Sequence, residues 1–184
     1  MSTHGAVGFY KDGVTKVAYN NQDSYPTSLL FRFLSDVKFC SLKKLSNRFD
    51  KIKHDDDAEE FTGSFEKIRF REDFLADSLF CSWAYIANID DEVVEIYRGG
   101  NKNPNALGRY ANLGAPTSEY RDNDYLGVVL VAVIHFEDLY SSKSWINLGN
   151  ACEYLQEASY KDLSIRGMTR RSEKFEKILK KGNK

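Results

Sequence analysis

Two short runs near the start, Ala6-Val7-Gly8-Phe9-Tyr10 and Thr15-Lys16-Val17-Ala18-Tyr19, are rich in β-branched and aromatic residues, and Lys11-Asp12-Gly13-Val14 joins them. Asp-Gly is a strong hairpin signal, because both central positions of a tight two-residue turn take positive φ. The spacing predicts a β-hairpin, so the sheet of this chain starts antiparallel. Asn20-Asn21-Gln22-Asp23-Ser24-Tyr25-Pro26 then supplies seven polar or turn-forming residues that cannot continue a strand. Thr27 or Ser28 is placed to cap the helix that follows.

That helix is predicted over about Ser28 to Phe39, with Leu29, Leu30, Phe33, Leu34 and Val37 on one face. A second begins at Ser41 and carries Leu42, Leu45, Phe49 and Ile52. Ser82 to Ile89 and Glu92 to Tyr97 read as a second hairpin around Asp90-Asp91. The apolar run Val128 to Ile134, within a strand over Tyr125 to Phe136, reads as buried on both faces and hence central in its sheet. The expectation is that the N-terminal hairpin lies beside that strand and that helices cover one face. Trp145 to Ala158 has a mixed helical pattern. The order defines one α+β domain over residues 1–184, mostly antiparallel.

Composition sets the outer bounds. Aromatics at 14% argue against disorder, and 26 basic against 27 acidic residues exclude collagen-like and simple low-complexity classes. No apolar run approaches 18 residues, and Met1 to Gly5 lacks the pattern of a signal peptide, so a soluble cytoplasmic protein without a membrane partner is expected. Charge is uneven: residues 161–184 carry nine Lys/Arg and three Asp/Glu, leaving −7 on the rest. Phe175, Ile178 and Leu179 make a narrow stripe there, so this basic tail reads as a docked terminal helix with a solvated face. With the whole chain near neutral, nucleic acid is not the expected partner.

Motifs for common chemistries are missing: no Walker A loop, no G-x-G-x-x-G, no His-Glu-x-x-His and no Gly-x-Ser-x-Gly. Gly99-Gly100 reads as a turn after a strand. Cys40, Cys81 and Cys152 form no Cys-x-x-Cys pair and read as buried thiols, so neither zinc nor a cofactor is expected. His54-Asp55-Asp56-Asp57-Ala58-Glu59-Glu60 lacks the alternation and glycine of a calcium loop and reads as a solvated acidic loop.

Two blocks carry a resemblance. Thr3-His4-Gly5, Phe9, Gly13, Tyr19-Asn20 and Asp23-Ser24-Tyr25-Pro26, with Trp83-Ala84-Tyr85-Ile86 leading to Asp90, resemble a family of phage, bacterial and fungal proteins. Its members open with a Thr-Arg-Gly-like triplet and a Tyr-Asn-His-x-Asp-Ser-Tyr-Pro segment; His4 and Asn21 stand where that pattern has Arg and His. The resemblance implies architecture more than function; a non-enzymatic accessory, phage-type role is the expectation beside it. A more distant likeness is to N-terminal-nucleophile hydrolases, since Ser2, Lys11-Asp12-Gly13 and Asn20 to Asp23 occupy similar offsets. It implies an amide hydrolase in which removal of Met1 frees the α-amine of Ser2 as base for its own hydroxyl. Asp23 would orient that amine, and Asn20 is the third residue of the set. Serine stands where that branch carries cysteine.

Binding is the expected function. Residues 98–124 form a loop of about 27 residues, and loops that long in a compact domain usually carry function. Arg98, Lys102, Arg109, Tyr110, Tyr120 and Arg121 supply the residue types enriched at interface hot spots. The expected partner is a host protein or a small anionic ligand clasped through forked guanidinium bonds.

Overall fold

The structure, a computed structural model, describes residues 3–58, 65, 67–113, 125–141 and 145–161. Its first hairpin pairs β1 (Gly5–Lys11) with β2 (Val14–Asn20), Tyr10 opposite Thr15 and Lys11 opposite Val14. Asp12 and Gly13 sit at φ 51° and 80°, the left-handed pair that a two-residue turn between twisted strands requires. The Asp12 amide donates to both carboxylate oxygens of Asp90, at 3.2 and 2.9 Å, which ties this turn to that of the second hairpin.

Beyond Asn20 the chain turns through Asp23, also at positive φ, into a π-helical turn, Pro26–Leu30, and then α1 (Phe31–Lys38). The helical path thus starts earlier than the sequence suggests, because Pro26 needs no hydrogen bond for its missing N–H. Neither Thr27 nor Ser28 caps it; the Thr27 hydroxyl donates to Gln156 instead. Ser41 caps α2 (Leu42–Lys51) through the Lys44 amide. Lys16 closes the other end of α2, with Nζ 2.8 Å from the Phe49 carbonyl and 3.1 Å from that of Ile52. A cation on the last carbonyls offsets the negative end of the helix.

The two-residue strands β3 (Lys53–His54) and β4 (Lys67–Ile68) pair with one another, and a short helix α3 (Glu72–Leu75) follows. The second hairpin is β5 (Trp83–Asn88) and β6 (Val93–Arg98), and the last strand is β7 (Val129–His135). Helices α4 (Phe136–Ser141) and α5 (Trp145–Lys161) complete the described order. The expected tail beyond α5 lies outside the described residues.

The five strands run β2-β1-β5-β6-β7, antiparallel except for β1 beside β5. Two expectations are corrected here. The N-terminal hairpin lies beside β5, not beside the Val128–Ile134 strand, and that strand forms the edge of the sheet rather than its centre. The continuous apolar run has another cause, a bulge. Ile96 pairs with Ala132 and Tyr97 with Leu130, so β7 gains one residue and changes phase. Val129 and Val131 before it, and Ala132 and Ile134 after it, all join the core on the helical face. Leu130 and Val133 on the other side are only half-buried. A continuous apolar run therefore records a phase change in an edge strand, not two fully covered faces.

On the helical face, Val7, Phe9, Tyr85, Val94 and Ile96 pack with Leu34, Val37, Leu45, Phe49, Leu148 and Leu155. The opposite face, with Ala6, Val17, Ala84, Ile86 and Tyr97, packs against Phe74, Leu75, Tyr110 and Val128. That second layer is mostly irregular chain. No helix among the described residues is long and apolar enough to cross a membrane.

Candidate functional site

The irregular layer contains the described part of the predicted binding loop, residues 98–113, and its backbone is held from beneath. Asn101, fully buried, is the hub: its Nδ2 donates to the carbonyls of Ala111 at 3.0 Å and Gly127 at 2.8 Å. Its amide donates to Ser78 Oγ at 2.9 Å, and its own carbonyl accepts from the Leu126 amide at 2.9 Å. Ser78 in turn donates its amide to the Leu126 carbonyl at 3.1 Å, and Gly127 donates to Leu113 at 3.0 Å. A Cβ on Gly127 would stand 1.8 Å from the Tyr110 carbonyl oxygen, so only glycine lets the two chains lie this close. The Asn101 side-chain amide thus joins its own segment to those of Ala111 and Gly127, and its backbone N–H adds the segment of Ser78. Nothing in the sequence separates Asn101 from its neighbours Asn103 and Asn105, so sequence reasoning missed it.

A second anchor is ionic. Glu95 projects from β6 and is buried, and four donor bonds satisfy it. Asn88 Nδ2 lies at 2.8 Å, the Tyr97 hydroxyl at 2.7 Å, and Arg109 Nη1 and Nη2 at 3.1 and 3.2 Å. The Arg109 guanidinium stacks 3.4 Å over the Tyr10 ring. Beside it the Tyr110 hydroxyl and Thr15 Oγ1 are 3.0 Å apart, and burial pushes the Tyr110 phenol above its ordinary range. Burial first, and the Glu95 charge second, push Tyr97 much further up. A buried carboxylate is stable only when its lone pairs are filled, and this one is filled from both the sheet and the loop.

The six predicted binding residues therefore divide. Tyr110 is buried and Arg109, though partly exposed, gives its guanidinium to Glu95 and Tyr10, so both hold the loop on the sheet. Arg98 donates to the Ser82 carbonyl at 2.6 Å with its guanidinium 5.0 Å from the Trp83 ring. Lys102 points outward, its Nζ 4.4 Å from the Tyr125 ring. Tyr120 and Arg121 lie outside the described residues. Gly99 and Gly100 form the turn after β6, their amides donating to Ser82 at 3.0 Å and Ser78 at 2.7 Å. Among exposed polar residues such as Lys102, Asn103, Asn105 and Asn112, the layer also shows large apolar side chains to solvent: Leu107 is 62% exposed, Phe80 52%, Leu113 43% and Leu79 42%. Composition alone does not reveal these, since Leu107 and Leu113 read like core residues.

The residues of the hydrolase reading are disposed differently. Ser2 lies outside the described residues. The chain next to it is closed: the Thr3 carbonyl accepts from the Ser24 amide at 3.1 Å, the His4 carbonyl from Ser82 at 3.1 Å, and Gly5 pairs with Asn20 and Trp83. Asn20 is buried with its amide given to the Gln22 carbonyl and, at 2.7 Å, to Ser24 Oγ. Ser24 is fully buried, and its carbonyl accepts from the Tyr85 hydroxyl at 2.8 Å. Asp23 is exposed. These bonds staple the turn that delivers the chain into Pro26.

In the acidic stretch, His54 Nε2 lies 2.8 Å from Asp56 and the Asp57 amide donates to Asp55 at 3.1 Å. Glu59 and Glu60 lie outside the described residues, among which no group of three or more His, Cys, Asp or Glu is arranged to hold a metal.

The class these features define is an α+β domain with helices on one face of a five-stranded sheet and a pinned, irregular layer on the other. No family model, curated protein or solved structure matches the chain.

Proposed function

We propose that the chain is a non-catalytic binding protein that docks a protein partner on the irregular layer around Lys102, Leu107 and Leu113. One observation carries this reading. Four large apolar side chains face solvent on a layer whose backbone is fixed from below by Asn101 and by the Arg109–Glu95 pair. Large apolar groups left exposed mark interaction sites, and a backbone held in place before binding loses little entropy on docking. The hydrogen bonds from Ser78 to Leu126 and from Gly127 to Leu113 bring Leu79 and Leu113 onto the same part of the cover. A protein suits this surface better than a small anion, because Arg98 and Arg109 already spend their guanidinium groups on Ser82, Trp83, Glu95 and Tyr10.

The test is recovery of the partner with the tagged wild-type chain, followed by calorimetry on the purified pair with a Leu107→Asp, Leu113→Asp variant. Both positions are exposed, so the fold, followed by circular dichroism, stays intact while affinity falls by about 100-fold or more. Equal affinity of variant and wild type would move the interface elsewhere.

A further inference from the structure

On the helical side, away from the irregular layer, a cavity of about 330 Å³ lies where the π-helical turn passes into α1 over β1. Among the described residues its inner side is apolar and buried, formed by Val7, Leu29 and Phe33. Phe31 and Ser35 flank it half-buried, and Arg32 and Asp36 stand on its exposed side. The wall is irregular twice over. The π turn widens the helix at Pro26–Leu30, a feature that recurs at functional sites. One turn later Ser35 Oγ donates back to the Phe31 carbonyl at 2.8 Å, a bond that bends helices.

Arg32 and Asp36 are one helical turn apart, where opposite charges ordinarily pair across about 5–6 Å between their Cβ atoms. Here they do not: among the described residues neither side chain forms a hydrogen bond or ion pair. Two unpaired groups of opposite sign beside an apolar cavity match a ligand that carries both charges on one end and an apolar body on the other. A lone carboxylate would meet Asp36 as a like charge, and a lone amine would meet Arg32. The volume falls near the lower end of small-ligand sites, roughly 300–1,000 Å³, which suits one ring or a short branched chain rather than a lipid.

We propose that this cavity binds a free apolar α-amino acid, with its carboxylate on Arg32, its ammonium on Asp36 and its side chain against Val7, Leu29 and Phe33. The site is separate from the docking layer, so each stands or falls without the other.

Calorimetry on the full chain with L-phenylalanine tests it, beside 3-phenylpropanoate, which lacks the ammonium, and phenethylamine, which lacks the carboxylate. L-Phenylalanine binds with a dissociation constant of about 0.1–1 mM, and each analogue binds at least about tenfold more weakly. Arg32→Gln and Asp36→Asn each weaken binding by about tenfold or more with the melting temperature unchanged, because both side chains are exposed and unpaired. No saturable binding of the amino acid at about 10 mM overturns the proposal. So does equal affinity for 3-phenylpropanoate, which would make the cavity a carboxylate site, and so does indifference to both charge variants.

Discussion

Arg109 meets Glu95 with both guanidinium amino groups, at 3.1 and 3.2 Å, across the boundary between the irregular layer and the sheet. The carboxylate side is 9% exposed and the guanidinium side 29%. Removing the cation therefore leaves a charge in a site that water reaches poorly. Arg109→Ala is expected to cost about 2–3 kcal/mol, at or below the low end for breaking a buried pair because the arginine is partly solvated. Arg109→Lys recovers little, since an ammonium neither forks onto two oxygens nor stacks on Tyr10. Urea denaturation measures both; a loss below about 0.5 kcal/mol for the alanine variant would show that the pair does not hold the loop.

Alkaline pH attacks the cores on both faces of the sheet. Burial, as the largest cause, pushes the Tyr85 and Tyr97 phenols well above the ordinary value, while in the unfolded chain they ionise near pH 10. Above pH 10 the unfolded state binds fewer protons than the native one. The stability these two groups contribute is thus complete below pH 10 and falls as pH rises, by about 1.4 kcal/mol per unit for each tyrosine. In an absorbance titration of the 11 tyrosines, two are expected to ionise only with the loss of native circular dichroism. Smooth, reversible titration of all 11 in the folded protein would contradict the burial.

The cysteines differ in the same way. Cys81 and Cys152 are fully buried, and burial pushes the Cys152 thiol up to about 12 and that of Cys81 higher still. Cys40 is half-buried. The thiolate is the reactive form, so a native-state assay with an aromatic disulfide reagent should label Cys40 alone, and all three cysteines after unfolding. Rapid native labelling at Cys81 or Cys152, read by peptide mass, would place them at a surface.

The candidate site was only half legible in the sequence. The length of the 98–124 loop and its Arg and Tyr content marked it, but the same residue types serve two ends. A guanidinium that finds a buried carboxylate becomes an anchor, and Glu95 looks in the sequence like any solvated acid on an alternating strand. Its burial follows from the loop folding over it, and the loop folds over it because Arg109 and Tyr110 have partners there. That circularity is a property of long-range contacts, and no local pattern encodes it.

What the sequence determined by itself is local. Asp12-Gly13 fixes a two-residue turn because those residues tolerate the φ values it demands, and Ser41 before an amphipathic stretch fixes the start of α2 because its hydroxyl accepts the Lys44 amide. Only the tertiary structure decided that β1 takes β5 as its parallel neighbour and that β7 ends at the edge. Hydrophobicity records that a side chain leaves water, not which element removes it. In β7 one inserted residue turned both phases of the strand toward the same helices, so identical apolar patterns serve a central strand and a bulged edge.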